Sequence, residues 1–525
     1  MSIDRPWHGV WPAHVPRSIT YPSVPAWWLL EQSASRFADR VAIRDLDHDT
    51  LAERRSLTYD ALLRAVRGAA TGLREHGVGP GMRVVFCLPN SAELIIGYYA
   101  TWYAGGVVVP AHPGARAGEL GHQLDDAGVS LVVGPPASAA QDAAERRKLP
   151  FVDVAAFRAM ERLEPAGPGA CAPDADVAVL LYTGGTTGVP KGAMLTHRNI
   201  VANTLQFARW YAFAPGDETS FCAIPMSHSG GMSGVMNVPL SSGATLLVVP
   251  RFAASAAARA VTRYRVTRLF GVPTMFIALL DDETARAADY SSLRACRTNA
   301  AALPPSVKQA FDALVGREVL VEGYGLTETS PLTHANPVGR AKAGSIGIPL
   351  SDTDARVVDL ETGADVVAGQ PGELLIHGPQ VMRGYWNRAT ETACAMRDGW
   401  LATGDVATMD DEGYFAIVDR KKDMINTAGF KVWPREVEEA IYAHEAVKLV
   451  MVIGVPDDYR GEAVKACVVL KDGHHGRVGA DDLIAFCKSR LTTYKVPRTI
   501  ELRDELPISG AGKLLRRALR ESPTA

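Results

Sequence analysis

The chain has 525 residues, 47% hydrophobic and 22% charged, with a formal net charge of −3. That length exceeds what one hydrophobic core organises, so two or more domains are expected, and the near-neutral balance offers nothing to recruit nucleic acid or an anionic membrane. Seven cysteines without paired spacing point to reduced thiols in a cytoplasmic setting rather than to a disulfide framework or a zinc site.

The N-terminus, Met1-Ser-Ile-Asp-Arg-Pro-Trp7, lacks the apolar core of a signal peptide. The Pro- and Trp-rich stretch up to residue 25 is expected to lie across the surface. Thr58 has the character of an N-cap, with Asp60 in the first turn of a helix and Gly77 just past its end. Val84–Leu88 follows as a strand. Leu94–Ala111 carries no charge and imitates a membrane span, but Gly105, Gly106 and Pro110 break it. It reads as a buried helix followed by a buried strand at Val107–Val109, so no integral membrane segment is expected.

Val129–Val133 and the apolar run Val177–Leu181 are further strands. The second leads into Tyr182-Thr-Gly-Gly-Thr-Thr-Gly-Val-Pro-Lys-Gly192. Glycines let backbone N–H groups turn toward an anion, threonine hydroxyls add donors and Lys191 adds charge, which suits a polyphosphate. It is not a Walker loop: Pro190 precedes the lysine and Gly192 follows it, so the helix start and the hydroxyl after the lysine are missing. Beyond it, Val201–Tyr211 and the Ala-rich stretch at Ala253–Ala260 read as helices, and Ala244–Val249, Arg268–Gly271 and Glu318–Val321 as strands. This alternation predicts α/β layers with largely parallel sheets. From residue 345 short strand-like runs dominate (Ala355–Asp359, Gly372–His377, Tyr414–Val418), as in a β-rich subdomain. After the cluster Asp419-Arg-Lys-Lys-Asp423 the pattern is again compact α/β, with helices at Pro434–Tyr442 and Asp481–Leu491 and strands at Val447–Val455 and Ala463–Leu470. The expected fold is therefore α/β: a large N-terminal domain, 1–419, of layered sheets and helices plus the β-rich subdomain, then a small C-terminal α/β domain, 420–525.

Four more segments join the phosphate loop: Tyr324-Gly-Leu-Thr-Glu-Thr329, Thr403-Gly-Asp-Val-Ala407, Asp419-Arg-Lys-Lys-Asp-Met-Ile425 followed by Gly429, and Pro507-Ile-Ser-Gly-Ala-Gly-Lys513. In this order the set resembles the adenylate-forming superfamily of acyl-CoA synthetases, peptide-synthetase adenylation domains and beetle luciferases, and most of all a fatty- or aryl-acyl-CoA ligase. The resemblance runs from about Ser33 to Leu519. It implies that ATP and Mg²⁺ activate a carboxylate as an acyl-adenylate, with catalysis by positioning and electrostatics. By match to the motifs, Thr183, Gly184, Gly185, Thr186, Thr187, Gly188 and Lys191 would hold the β- and γ-phosphates. Glu328, with Thr183 nearby, would be the Mg²⁺ ligand. Tyr324 would lie against adenine, with Gly325 and Thr327 beside it and Ala300 and Ala301 across from it. Asp405 would accept hydrogen bonds from the ribose hydroxyls, and Arg420 would touch the ribose or phosphates.

Lys513 matches the lysine that reaches from the small domain to bridge the attacking carboxylate and the α-phosphate; outside its motif, a lysine near Arg516, Arg517 and Arg520 reads as a solvated helix face. Lys422 matches the hinge position, which implies that the small domain is mobile and that its rotation withdraws Lys513 and presents Gly429 to the pantetheine tunnel. His228, in Pro225-Met-Ser-His-Ser-Gly-Gly231, would position the acyl carboxylate or gate its site.

The segment Pro225–Met236 has no acid to pair an α-ammonium, so an amino acid is disfavoured as substrate. Gly230, Met232, Met236, Asn299 and Gly323 would line the acyl pocket and suit a fatty or aromatic acid. Asn299 stands where relatives carry glycine, which puts a plain long-chain substrate in doubt. No Ser-centred carrier motif follows Lys513, so a separate acceptor is expected: CoA, or else an external acyl carrier protein. Arg460, Lys465 and Lys495 are candidates for the CoA 3′-phosphate. The oligomeric state is left open, a homodimer included.

Overall fold

The computed structural model describes residues 5–183, 190–299, 301–457, 459–507 and 515–520. The chain forms two compact units: Met1–Ala343 with Gly347–Asp354 and Ile376–Leu401, and Gly344–Ile346 with Ala355–Leu375 and Ala402–Ala525.

Two sheets organise the first unit. One has seven strands in the order Gly384–Tyr385, Lys191–Thr196, Val177–Thr183, Val107–Pro110, Arg83–Phe86, Leu131–Gly134, Phe151–Asp153. The other has nine: Ile348–Pro349, Leu332–Ala335, Leu320–Gly325, Ala295–Thr298, Arg268–Gly271, Thr219–Cys222, Thr245–Val248, Val41–Leu46, Glu53–Thr58. Their centres are parallel, as the alternation of strands and helices predicts; both edges of the nine-stranded sheet and one edge of the seven-stranded sheet are antiparallel, while Phe151–Asp153 closes the other edge in parallel. Parallel strands are covered on both faces and therefore read as continuous apolar runs; Val107–Pro110 and Leu131–Gly134 are buried at every position.

Helix Ala92–Ala104 shows why the uncharged stretch is no membrane span. The Ser91 hydroxyl caps the Leu94 N–H, Gly105 ends the helix at φ 91°, and all 13 residues are buried. It is apolar on every side because protein surrounds it, and among the described residues no helix is long and apolar enough to cross a membrane. Thr58 caps helix Tyr59–Glu75 through the Ala61 N–H, a contact worth about 1 kcal/mol. The N-terminal stretch does more than cross the surface: a short helical turn, Pro6–Gly9, buries Trp7 to 1% exposure. All seven cysteines are free.

In the second unit, strands Gly461–Leu470 and Val447–Asp457 pair along their whole length; Gly461–Leu470 also pairs with Ile425–Thr427 at its start, itself paired to Phe430–Val432, and in parallel with Thr499–Leu502 further along. Helices Pro434–Tyr442 and Ala480–Lys488 contribute Val437, Ile441, Leu483 and Cys487 to its core. A hairpin, Trp400–Met409 with Phe415–Arg420, carries Asp405 directly opposite Arg420.

Arg516 and Arg520 are drawn into ion pairs, where their sequence suggests a solvated face. Arg516 binds Asp419 at 3.0 Å, Asp423 at 3.4 Å and Glu438 at 2.9 Å, and Arg520 binds Asp423 at 3.2 Å. Burial works against the charge of Arg516, but Glu438, Asp419 and Asp423 outweigh it and hold the guanidinium above its ordinary pKa. Arg516→Met would strip Asp419 and Glu438 of their cation and leave Asp423 with Arg520 alone. The expected loss is about 3–5 kcal/mol, read as a lower urea midpoint for this unit; an unchanged midpoint would show that water already screens the cluster.

His197 is 1% exposed, its Nδ1 accepts the Ala26 N–H at 3.0 Å, and burial pushes its pKa down to about 4. An unfolded histidine takes its proton near pH 6.5, so the unfolded chain binds more protons below that pH and stability falls as pH drops from 6.5 toward 4. The slope from this residue approaches about 1.4 kcal/mol per pH unit. His197→Asn, which retains an acceptor, should flatten the acid limb of a pH series of melting temperatures.

Candidate active site

Strand Val177–Thr183 rises to the phosphate loop and the chain returns as Lys191–Thr196, with Thr183 paired to Lys191. The two ends of the loop are therefore held side by side, and the Thr183 hydroxyl donates to the Lys191 carbonyl at 3.4 Å. Gly184, Gly185, Thr186, Thr187 and Gly188 lie outside the described residues, as do Ala300 and Lys513. The loop's base is braced from behind. Tyr182 Oη donates to Asp126 at 2.7 Å, Arg388 donates to the other oxygen of Asp126 at 2.9 Å, and Trp386 Nε1 donates to the Asp126 carbonyl at 3.0 Å. Burial first, then Asp126, pushes the Tyr182 phenol well above its ordinary pKa, so it stays a donor.

Lys191 and Glu328 meet through a residue that sequence reasoning missed. The Lys191 ammonium lies 5.4 Å from the ring centroid of Tyr385, and the Tyr385 hydroxyl donates to Glu328 Oε1 at 2.7 Å. Tyr385 sits on the two-residue edge strand Gly384–Tyr385 beside Lys191–Thr196. The Trp386 N–H holds that register by donating to the Gly192 carbonyl at 2.8 Å. Lys191 and Glu328 form no ion pair with each other among the described residues. The only signal for Tyr385 in the sequence is the aromatic pair in Arg383-Gly-Tyr-Trp386, which by itself reads as packing.

Glu328 stands in a single helical turn, Thr327–Thr329, after strand Leu320–Gly325. Gly325 is required there, because a Cβ would lie 1.8 Å from the Pro331 carbonyl oxygen. Helix His197–Trp210 buttresses both partners of the Tyr385–Glu328 bond. Asn203 brackets Leu332 with hydrogen bonds of 2.7 and 3.1 Å, and Asn199 donates to the carbonyls of Pro379 and Val381 at 2.8 and 2.9 Å. Tyr324 is half-buried, edge-on to His334 at 6.0 Å; Thr327 is half-buried and Ala301 exposed.

Asn299 and Gly323 face each other: a Cβ on Gly323 would lie 3.2 Å from Asn299 Oδ1, which has no hydrogen-bond partner. His228 is half-buried in the turn before a wide, π-type helix, Gly230–Asn237, a distortion frequent at functional sites. Gly230 is half-buried there, whereas Met232 and Met236 are fully buried in the main core. The Ser233 hydroxyl ties this helix to the Ser330 carbonyl at 2.5 Å.

In the second unit, Arg420 Nε lies 3.0 Å from Asp405 Oδ1, so two of the predicted nucleotide ligands are brought together. Lys422 is exposed beside buried Asp423. Gly429 occupies a turn at φ 85°, with open space where a Cβ would stand. Two candidates for the CoA phosphate are engaged elsewhere. Lys465 is 7% exposed and 2.7 Å from Glu501, and Lys495 is 2.5 Å from Glu436; local carboxylates already answer their charge.

The AMP-binding enzyme family matches residues 30–386, and the AMP-binding enzyme C-terminal domain matches residues 436–513. The chain belongs to the AMP-binding enzyme family. It is 40% identical over 564 aligned positions to a long-chain-fatty-acid–CoA ligase of Bacillus subtilis (strain 168), covering 100% of this chain and 99% of the relative. It is 39% identical to a feruloyl-CoA synthase of Amycolatopsis sp., covering 89% of this chain and 94% of that one. Among solved structures, ATP-bound MatB from Rhodopseudomonas palustris superposes with a TM-score of 0.87 at 29% identity, over 95% of this chain and 99% of that one. Membership agrees with the five motifs and with the layered α/β architecture.

Within this AMP-binding enzyme, Tyr385→Phe keeps the ring beneath Lys191 and removes the hydroxyl from Glu328. A hydrogen bond to a charged group is worth about 1.5–3 kcal/mol, so acid-dependent pyrophosphate release should fall roughly 10- to 100-fold, and Tyr385→Ala should lose more. Wild-type rates in the Phe variant would leave the hydroxyl without a role.

Proposed function

We propose that this chain is an AMP-forming acid–CoA ligase: it activates a carboxylic acid with ATP and passes the acyl group to the thiol of CoA. The observation that carries the reading is the Lys191–Tyr385–Glu328 cluster at the foot of the phosphate loop, in a chain whose full-length relatives are CoA ligases and synthases. A cation and an anion held apart by one aromatic ring suit a polyphosphate and its counter-ion together.

In the first step a carboxylate oxygen of the acid bonds to the α-phosphorus of ATP, the bond to the β-phosphate oxygen breaks, and pyrophosphate leaves. In the second, the CoA sulfur bonds to the acyl carbon and AMP leaves. Lys191 and the Gly/Thr loop hold the departing phosphates, and Lys513 offsets charge gathering between carboxylate and α-phosphate. Tyr324 packs on adenine, with Gly325, Thr327, Ala300 and Ala301 around it. Asp405, aligned by Arg420, takes the ribose hydroxyls. His228 orients the carboxylate at the mouth of a pocket bordered by Gly230, Met232, Met236, Asn299 and Gly323.

The donor set fits Mg²⁺: Tyr385 occupies one oxygen of Glu328 and leaves the other, and one carboxylate with Thr183, phosphate oxygens and water is what this hard ion takes. Bound there, it would neutralise phosphate charge. The functional division falls after Asp419, with 1–419 as body and 420–525 as a mobile lid. Lys422 is the pivot, and Gly429 leaves the pantetheine arm a clear path, consistent with the open space around it.

Purified protein with ATP, Mg²⁺, CoA and a panel of fatty, benzoic and cinnamic acids should yield AMP, pyrophosphate and an acyl-CoA in equal amounts. Lys513→Ala should lower adenylation by about 10²–10³ while ATP binding changes little. Adenylation near the wild-type rate in that variant would remove Lys513 from the chemistry, and thioester formation on a carrier protein but not on CoA would reassign the acceptor.

A further inference from the structure

Arg297 lies inside strand Ala295–Thr298 and is 5% exposed. Its guanidinium carbon is 3.7 Å from the ring centroids of both Phe207 and Phe270 and 5.1 Å from that of Tyr211. Aromatic faces thus enclose it from helix His197–Trp210 and from the neighbouring strand, where Phe270 is its direct partner. Nε and Nη1 make no well-formed hydrogen bond; the Tyr211 hydroxyl lies close enough to favour the charged guanidinium, which only partly offsets its burial. Arg297 makes no ion pair among the described residues, and burial pushes its pKa down to about 10.

The surroundings are shaped for this guanidinium. A Cβ on Gly234, in the π-type helix Gly230–Asn237, would lie 2.6 Å from Arg297 Nη2, so glycine hollows the helix to admit it. Asn299 follows directly on the end of this strand. Its Oδ1 is also buried and unpartnered, and it faces Gly323. Cation–π contacts offset part of the cost of burying a charge, but two buried donors without acceptors remain unmet. An aliphatic residue would fill the same space at less cost, so packing does not account for the arginine.

We propose that the acyl site takes an acid bearing a second acceptor-oxygen group, a carboxylate foremost, and that Arg297 receives this group while the first carboxylate is adenylated. The inference rests on the ligase reading above and names the substrate class of that site. A plain alkyl chain in that site would lay methylenes against unpaired N–H donors. A second carboxylate there would accept from Nε–H or from Nη1, the two unmet donors on different sides of the guanidinium, in a charge-assisted hydrogen bond. The aliphatic or aromatic character of the spacer is left to the experiment.

The test compares matched pairs: straight-chain mono- and dicarboxylic acids of short, medium and long chain, and benzoate against terephthalate. kcat and KM for pyrophosphate release are measured with wild type, Arg297→Leu and Arg297→Lys. Wild type should favour the diacid at least ~10-fold in kcat/KM in one arm, the magnitude of one charge-assisted contact. Arg297→Leu should reverse that preference through KM, keep or raise monoacid turnover, and melt no lower than wild type; Arg297→Lys should keep part of the preference. Monoacid preference by wild type in every arm, or a diacid-to-monoacid ratio within about twofold of wild type in the Leu variant, overturns the proposal. If the Leu variant does not fold, the Lys variant decides together with the wild-type melting temperature, which a diacid must raise more than its matched monoacid. Turnover of monoacids without diacid preference sinks this inference alone, whereas no turnover of any acid sinks the ligase reading with it.

Discussion

The site depends on keeping a lysine and a glutamate close together without letting them neutralise each other. Lys191 and Glu328 would be natural ion-pair partners in an empty pocket, and a closed pair presents little field to a polyphosphate. Tyr385 gives each a weaker substitute. Its ring face attracts the ammonium, an interaction of about 0.5–2 kcal/mol, and its hydroxyl satisfies one carboxylate oxygen. Each charge keeps bonding capacity for an incoming ligand, and neither must break a strong contact to use it. Pre-set polar groups of this kind stabilise developing charge without reorganising at the moment of reaction.

Much of the first unit serves that arrangement. Tyr385 belongs to an edge strand of two residues, too short to fix itself, so its register comes from neighbours: Trp386 on Gly192, Arg388 on Asp126, and Asn199 on the carbonyls of Pro379 and Val381. Glu328 is fixed from the other sheet through Gly325 and the Asn203–Leu332 pair. Glu328 sits just beyond the carboxyl end of strand Leu320–Gly325, the end at which open α/β sheets bind ligands.

The sequence exposed what is local. Thr58 as a cap, Gly105 as a stop and the uncharged stretch between Leu94 and Ala104 follow from backbone rules that need no tertiary knowledge, and all three stand in the structure. Thr183 and Lys191 stood out because glycine and threonine are concentrated within the few positions between them, and the structure holds these two flanks side by side. What stayed hidden was settled across long separations. Tyr385 is 57 residues from Glu328, and nothing in its own segment says which carboxylate it will meet. Arg297, Lys465 and Arg516 share another cause: composition assigns charged side chains to the surface, and only the folded chain shows rings packed on the first and carboxylates waiting for the other two.

The cluster around Arg516 limits how the tail can travel. Lys513 precedes Arg516 by three positions, so however that span is arranged, its extended reach is only about 10 Å. The anchoring carboxylates Asp419 and Asp423 flank Lys422, the proposed pivot. Under the proposed function, a lysine so few positions from Arg516 would be tethered to the carboxylates on either side of the pivot, and the two half-reactions would then be coupled mechanically rather than by separate movements.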